Sequence, residues 1–255
     1  MKSRSPWTIL LAASWLSIST GTIAADRVEA PLRDEVRALR DEVRTLQQDM
    51  RDLKQALAAR RAGGWEKVDA VVGPEDSPQL GARDARLVLI EFSDYQCPYC
   101  VRHYTETFKQ LERDYIASGK LRYVVAEMPI AQIHPLASKA AEAARCAREQ
   151  GKFWEMHGRL FSNPRQLEPW SAHAEALGLD AGAFQTCLDS GRHAEEINRN
   201  AAAAQQSGIS STPTFLLGIA TGDTVRVTRR LRGAAPYAAF KAEIDTLLAE
   251  PVALK

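Results

Sequence analysis

The sequence predicts an α/β domain with a central mixed sheet and an inserted helical subdomain, preceded by an N-terminal coiled-coil helix. Three observations carry this. An apolar run of strand length, Leu87-Val88-Leu89-Ile90, leads through a short loop into Val101, Tyr104, Phe108, Leu111 and Tyr115, which are spaced as on a helix. A helix-rich stretch from about Ile133 to Ser207 separates this region from strands near Phe215 and Val225 and from a terminal helix. Ahead of all of it runs an unbroken heptad pattern.

The 255 residues suffice for one sizeable core and extra segments besides. A charged fraction of 25% and a hydrophobic fraction of 45% are ordinary for a soluble globular chain. The formal net charge of +1 gives no reason to expect a nucleic-acid partner. Residues 1–25 read as a secretory signal peptide: Lys2 and Arg4 supply the positive end, Trp7 to Ile18 the apolar run, and Ala24 or Ala25 the cleavage position. That run is well short of the ~20 apolar residues of a membrane span. No cysteine lies nearby, so a lipid-modified terminus is not expected.

Residues 26–62 form the predicted stalk. Val36, Val43, Met50 and Leu57 occupy the a positions of a heptad, and Leu32, Leu39, Leu46 and Leu53 occupy d. Valine at a with leucine at d favours a parallel homodimer, with a homotrimer as the alternative. Glu35 would face Arg40 of a partner chain, and Asp49 would face Lys54. Such exposed pairs contribute about 0.2–1 kcal/mol each, so they set register more than strength. The competing reading is one amphipathic helix packed on its own domain. Ala58 to Gly64 reads as a linker, and residues 63–255 form the main domain.

The chemistry centres on Cys97-Pro98-Tyr99-Cys100. Strand, loop, Cys-x-x-Cys and helix follow in order, placing Cys97 at a helix start with Pro98 at the first helical position. Free backbone N–H groups and the helix dipole there favour a thiolate. Cys97 is therefore the expected nucleophile, and Cys100, one turn on, the resolving thiol. Half of a zinc site and an inert bridge are the alternatives. Zinc would need a second close Cys/His pair, which the sequence does not offer. The expectation is a redox pair with no metal and no cofactor.

The run from Val88 to Cys100, VLIEFSDYQCPYC, resembles the active-site segment of DsbA-like thioredoxin-fold disulfide oxidoreductases. The block from Gly208 to Phe215, GISSTPTF, resembles that family's cis-proline loop, and the helical stretches around His134-Pro135, Cys146 and Trp154 are similar to its insert. The resemblance covers residues 65–255 and implies a thioredoxin-like fold with a cis Thr212-Pro213 bond beside the cysteines. It also implies that Pro213 is catalytic and that Thr212, Pro98 and Tyr99 meet the substrate. It further implies protein substrates with cysteines and a DsbB- or DsbD-like membrane redox partner. With the leader, it points to the periplasm. The stalk and the Thr before Pro213 resemble features of the dimeric DsbC and DsbG instead. Together these favour an oligomeric isomerase. A DsbA-like oxidase, or a coiled-coil scaffold with a vestigial redox site, are the other readings.

Glu91 stands six residues before Cys97, where the resemblance implies an acid near the redox pair, and is a candidate proton relay, against a strand glutamate facing solvent. Cys146 and Cys187 are expected to form a structural bridge in an oxidising compartment, against two buried thiols. Such a loop would add roughly 3–4 kcal/mol on the chain-entropy model. His103, one turn after Cys100, is expected at an exposed helix position, against an imidazolium that lowers a thiol pKa, and His157 on a core face with Phe153, Trp154, Met156 and Leu160.

Overall fold

Val88, Ile90 and Phe92 point to one side of a strand and Leu87, Leu89 and Glu91 to the other, and none of the six is exposed. Burial on both faces explains why this stretch reads as a continuous apolar run rather than an alternating one. The computed structural model describes residues 33–51, 64–73 and 77–251. These residues fall into two units, divided between Gln55 and Ala56.

The first unit is a helix, α1, over residues 33–51. Val36, Leu39, Val43, Leu46 and Met50 are exposed along it, at 38 to 57% of their free surface. The leader, Leu32, Leu53, Lys54, Leu57 and residues 58–63 of the linker lie outside the described residues.

The second unit is built on a six-stranded mixed sheet in the order β1-β6-β5-β3-β4-β2. Its strands are β1 (Glu66–Val72), β2 (Gln79–Leu80), β3 (Leu87–Ser93), β4 (Leu121–Glu127), β5 (Thr214–Thr221) and β6 (Thr224–Arg232). β3 and β4 are parallel, with Glu91 opposite Val125, and the helical run α2 over residues 98–116 supplies the crossover such a pair requires. The other pairings are antiparallel. β2 is only two residues long and lies on the β4 edge, too short to leave a periodic signal in the sequence.

Between β4 and β5 lie α3 (Ala137–Glu149), α4 (Phe153–Ser162), α5 (Trp170–Ala176), α6 (Ala181–Ser190) and α7 (Ala194–Gln206), and α8 (Tyr237–Ala249) ends the fold. The Leu87/Leu89 face packs with α2, α8 and most of the insert. The opposite face meets Ala201 and Ala204 of α7. Gly158 of α4 sits so close to α2 that a Cβ there would be 2.6 Å from the Tyr104 hydroxyl. In β5, a Cβ on Gly218 would come within 2.2 Å of the Arg226 carbonyl oxygen, at the irregularity in the β5–β6 register.

Two cross-links hold the insert. Cys146 of α3 and Cys187 of α6 form a disulfide. Beside it, the buried Arg145 guanidinium donates to both oxygens of Glu127, at 2.8 and 2.7 Å, and to Glu196 at 2.7 Å. Glu127 ends β4 and Glu196 begins α7, so one cation ties sheet and insert together. No helix among the described residues is long and apolar enough to cross a membrane. Arg145→Ala leaves Glu127 buried without its counter-charge and is expected to destabilise the domain by about 3–5 kcal/mol, read from urea unfolding. An unchanged midpoint would mean that solvent reaches Glu127 and the link is superficial.

Candidate active site

The site lies where β3 gives way to α2. Asp94, the first residue past the strand, is buried and accepts four hydrogen bonds. Its Oδ1 takes the backbone N–H of Gln96 at 2.8 Å and of Cys97 at 3.2 Å. Its Oδ2 takes the N–H of Ile130 and the Nδ1 of His134, both at 2.8 Å. Gln96 Oε1 accepts from the Leu136 N–H at 2.6 Å. The turn before Cys97 is thereby tied to the segment entering the insert. On its other side, the Tyr95 hydroxyl lies 3.0 Å from His157 Nδ1.

Cys97 takes an extended conformation and caps α2, with Pro98 opening the helix. Pro98 and Tyr99 are exposed, and Arg102 lies over the Tyr99 ring at 5.3 Å. Cys97 and Cys100 are free thiols, Cys100 fully buried and Cys97 4% exposed. The Thr212-Pro213 bond is cis, and the Thr212 carbonyl accepts from Cys97 Sγ at 3.3 Å. A second cis bond, Glu168-Pro169, lies in the insert, away from the elements that build this site.

Electrostatics separate the two thiols. The hydrogen bond from Cys100, helped by backbone groups of Tyr99 and Cys100, outweighs burial and brings the Cys97 thiol down to about 6. Burial pushes Cys100 well up, and the hydrogen bond to Cys97 and the charge of Glu91 add to the rise. Cys97 is thus the thiolate and Cys100 the thiol that serves it. Burial also raises the Glu91 carboxyl to about 7, against hydrogen bonds from Tyr123 and Ser93 that lower it. Glu91 is 2% exposed and does not face solvent, because the helices cover both faces of β3.

His103 corrects the sequence reading: it is 1% exposed, packed against Phe215 and Phe240. The face of α2 that carries His103 packs on Phe215 of β5 and Phe240 of α8, so a polar residue one turn past the active site meets core. Sequence reasoning also missed Tyr123, Ser93 and Asp94, which touch Glu91 or the cysteine turn. Only Asp94 had a local signal, as a short polar residue that can cap the turn ahead of a helix. Among the described residues, Cys146, Cys187 and His193 offer ligand atoms within 4.8 Å of one another, but the two sulfurs are spent on the disulfide.

A thiolate at a helix start, a buried partner thiol, a carboxylate behind them and a cis-proline in front define a Cys-x-x-Cys protein of thioredoxin-type architecture. The model of the family described as Thioredoxin matches residues 74–226, and the chain belongs to that family. Its fold is similar to Wolbachia pipientis alpha-DsbA1, with a TM-score of 0.59 and 22% identity over 68% of this chain and 91% of that one. Oxidised BdbD from Bacillus subtilis aligns at 0.59 and 20% identity, covering 72% of this chain and 100% of that one. A thioredoxin-like oxidoreductase from Silicibacter pomeroyi aligns at 0.56 and 26% identity, over 69% and 95%. Among curated relatives, Na(+)/H(+) antiporter NhaA 3 of Salinispora tropica is 38% identical over 57% of this chain and 22% of its own length. The NhaA of Herminiimonas arsenicoxydans is 36% identical over 64% and 24%. The chain therefore spans about a fifth to a quarter of the length of these relatives.

Two measurements test the site. Alkylation by iodoacetamide should label Cys97 and spare Cys100, with a rate that rises with pH and levels off above about 6. Equal labelling of both thiols would contradict the separation. Glu91 binds a proton more readily folded than unfolded, so its burial lowers stability as pH rises from about 4.5 to 7. Glu91→Gln should remove that fall, and the gain in Tm over the unsubstituted chain should grow across this window and be largest above pH 7.

Proposed function

We propose that this chain is an exported thiol–disulfide oxidoreductase that exchanges disulfides with other proteins. The observation that carries the proposal is the low-lying Cys97 thiolate, paired with a buried Cys100 and facing the Thr212 carbonyl beside cis-Pro213. In the oxidising direction a substrate thiolate attacks Cys97 Sγ, the Cys97–Cys100 bond breaks, and Cys100 leaves with the electron pair. Glu91 supplies the proton that Cys100 requires. A second substrate thiolate then attacks the substrate sulfur of the mixed disulfide and releases Cys97 as a thiolate. The substrate loses two electrons and the chain gains them.

A stabilised Cys97 thiolate favours the reduced form, and that makes the disulfide form a good oxidant. This supports the oxidase direction, with a membrane redox partner of the DsbB kind to restore the disulfide. The exposed Tyr99 and Pro98 support contact with an extended substrate. The antiporter names belong to relatives several times as long, and the Cys97–Cys100 pair supports exchange chemistry rather than ion transport.

A second reading has its own support. The apolar seam of α1 is exposed along its length, as a helix awaiting copies of itself would be. Linked redox domains can hold one substrate at two sites, which favours disulfide isomerisation by a DsbC-like parallel dimer or trimer.

Refolding of a substrate supplied reduced, and again with scrambled disulfides, separates the readings. An oxidase forms disulfides in the reduced substrate equally well with residues 26–255 and residues 65–255. An isomerase repairs the scrambled substrate only with residues 26–255, and Leu39→Asp with Leu46→Asp abolishes the repair. Cys97→Ser is expected to bring both activities to background; full activity in that variant would leave the scaffold reading standing.

A further inference from the structure

We infer that His103 and Tyr123 are positioning residues for the redox reaction: together they form a chain of hydrogen-bond donors aimed at Glu91, which tunes that carboxylate for proton exchange with Cys100. The inference rests on the exchange reaction proposed above and extends it to two residues outside the Cys-x-x-Cys segment.

The geometry begins with the sheet. Glu91 pairs with Val125, so Tyr123, two residues earlier on β4, shares its face. The Tyr123 hydroxyl donates to Glu91 Oε2 at 2.5 Å, and Ser93 Oγ donates to Oε1 at 2.8 Å. Behind the phenol, His103 Nε2 lies 3.0 Å from the same hydroxyl oxygen.

A phenol carries one proton. With that proton on Glu91, the contact to His103 requires the imidazole to donate. His103 is therefore the Nε2–H tautomer, and burial, with nearby His157 as a lesser influence in the same direction, holds its pKa down to about 3, so it stays neutral. Its Nδ1 is left with a lone pair, and that atom is buried with no hydrogen-bond partner. The rings of Phe215 and Phe240 lie 4.4 and 5.2 Å from the imidazole, so the surroundings are apolar. An unpartnered buried nitrogen is costly, and a leucine or phenylalanine would fill the same space without it. Packing alone does not account for an imidazole here; the donor on its other side does.

The consequence falls on Glu91. Desolvation drives a buried carboxylate towards its protonated form, and donors on its oxygens oppose this. Linked donors polarise one another, so His103 strengthens the Tyr123 hydrogen bond without touching the carboxylate. The groups facing Glu91 are Cys97 and Cys100 from α2, Ser93 from its own strand, Tyr95 from the following loop and Tyr123 from β4. His103 meets His157 from α4, itself held neutral by burial, while β5 and α8 contribute the uncharged Phe215 and Phe240. No cation stands among these groups. The hydroxyl donors are what keeps Glu91 near neutrality, where it can both take a proton from Cys100 and return it.

The test follows the Glu91 carboxyl by infrared difference spectroscopy across pH in the full reduced chain, with Glu91→Gln to assign the band. Tyr123→Phe should move the titration up by roughly one pH unit, the size of a lost hydrogen bond to a charge. His103→Leu should move it the same way by less, while leaving Tm equal or higher because the orphaned nitrogen is gone. In His103→Gln an amide N–H can still donate to the phenol, and the titration should return towards its original position. The pH profile of disulfide exchange should shift in parallel, and His103→Leu should have no effect on that profile once Glu91→Gln is present. A carboxyl titration unmoved by Tyr123→Phe and His103→Leu would overturn the inference. So would a fall in Tm for His103→Leu with an unmoved titration, which marks a packing residue. The infrared reading needs no exchange activity. A chain that exchanged no disulfides at any pH would thus sink the proposed function, while the carboxyl titration still decided the donor chain.

Discussion

The burial of β3 on both faces is the constraint on which the site depends. A strand covered on one side could turn Glu91 to water and let Asp94 be solvated at its end. Here neither can be solvated, and each polar group must find partners inside the protein. Asp94 meets this by gathering two N–H groups of its own turn, one from Ile130 and the His134 ring. Glu91 meets it with Tyr123 and Ser93. The partners that burial demands also fix the cysteine turn, so the geometry of the redox pair follows from satisfying the strand that leads to it.

The same burial differentiates three ionisable groups only a few residues apart. Cys97 sits at the edge, where the Cys100 thiol and helix N–H groups can reach it, and its thiolate is favoured. Cys100 and Glu91 lie deeper, and desolvation raises both. One low dielectric thus yields a nucleophile, a reserve thiol and a carboxyl near neutrality, according to which donors each one meets. This is the arrangement that thiol exchange needs, because each step makes one thiolate and neutralises another.

The insert contributes rigidity more than chemistry. His157 of α4 contacts Tyr95 in the active-site turn, and Gly158 beside it allows α4 to lie against Tyr104 of α2. Arg145 and the Cys146–Cys187 disulfide lock α3 to the sheet end, to α6 and to α7. Ile130 and Leu136, which hydrogen-bond Asp94 and Gln96, lie in the segment leading into α3. Stiffness in the insert is thereby passed to the loop that presents Cys97.

The sequence by itself determined whatever depends on short spacings. Cys97 and Cys100 at one helical turn, Pro98 at the helix start, the apolar strand before them, and the heptad seam from Val36 to Met50 were all legible, because periodicity and capping are local. Thr212-Pro213 was legible only through the family resemblance, since a Thr-Pro pair before a strand otherwise signals a turn. The tertiary structure decided what depends on registers between strands and on which face a helix covers. Nothing local places Tyr123 on Glu91, thirty-two residues away, or turns His103 inward beneath Phe215 and Phe240. Those contacts arise from the parallel pairing of β3 with β4 and from the path of α2 across the sheet. A shift of one residue in that pairing would carry Tyr123 to the opposite face. The cysteine pair is therefore written in a dozen consecutive residues, but the donors around Glu91 come together only once β3 and β4 have paired.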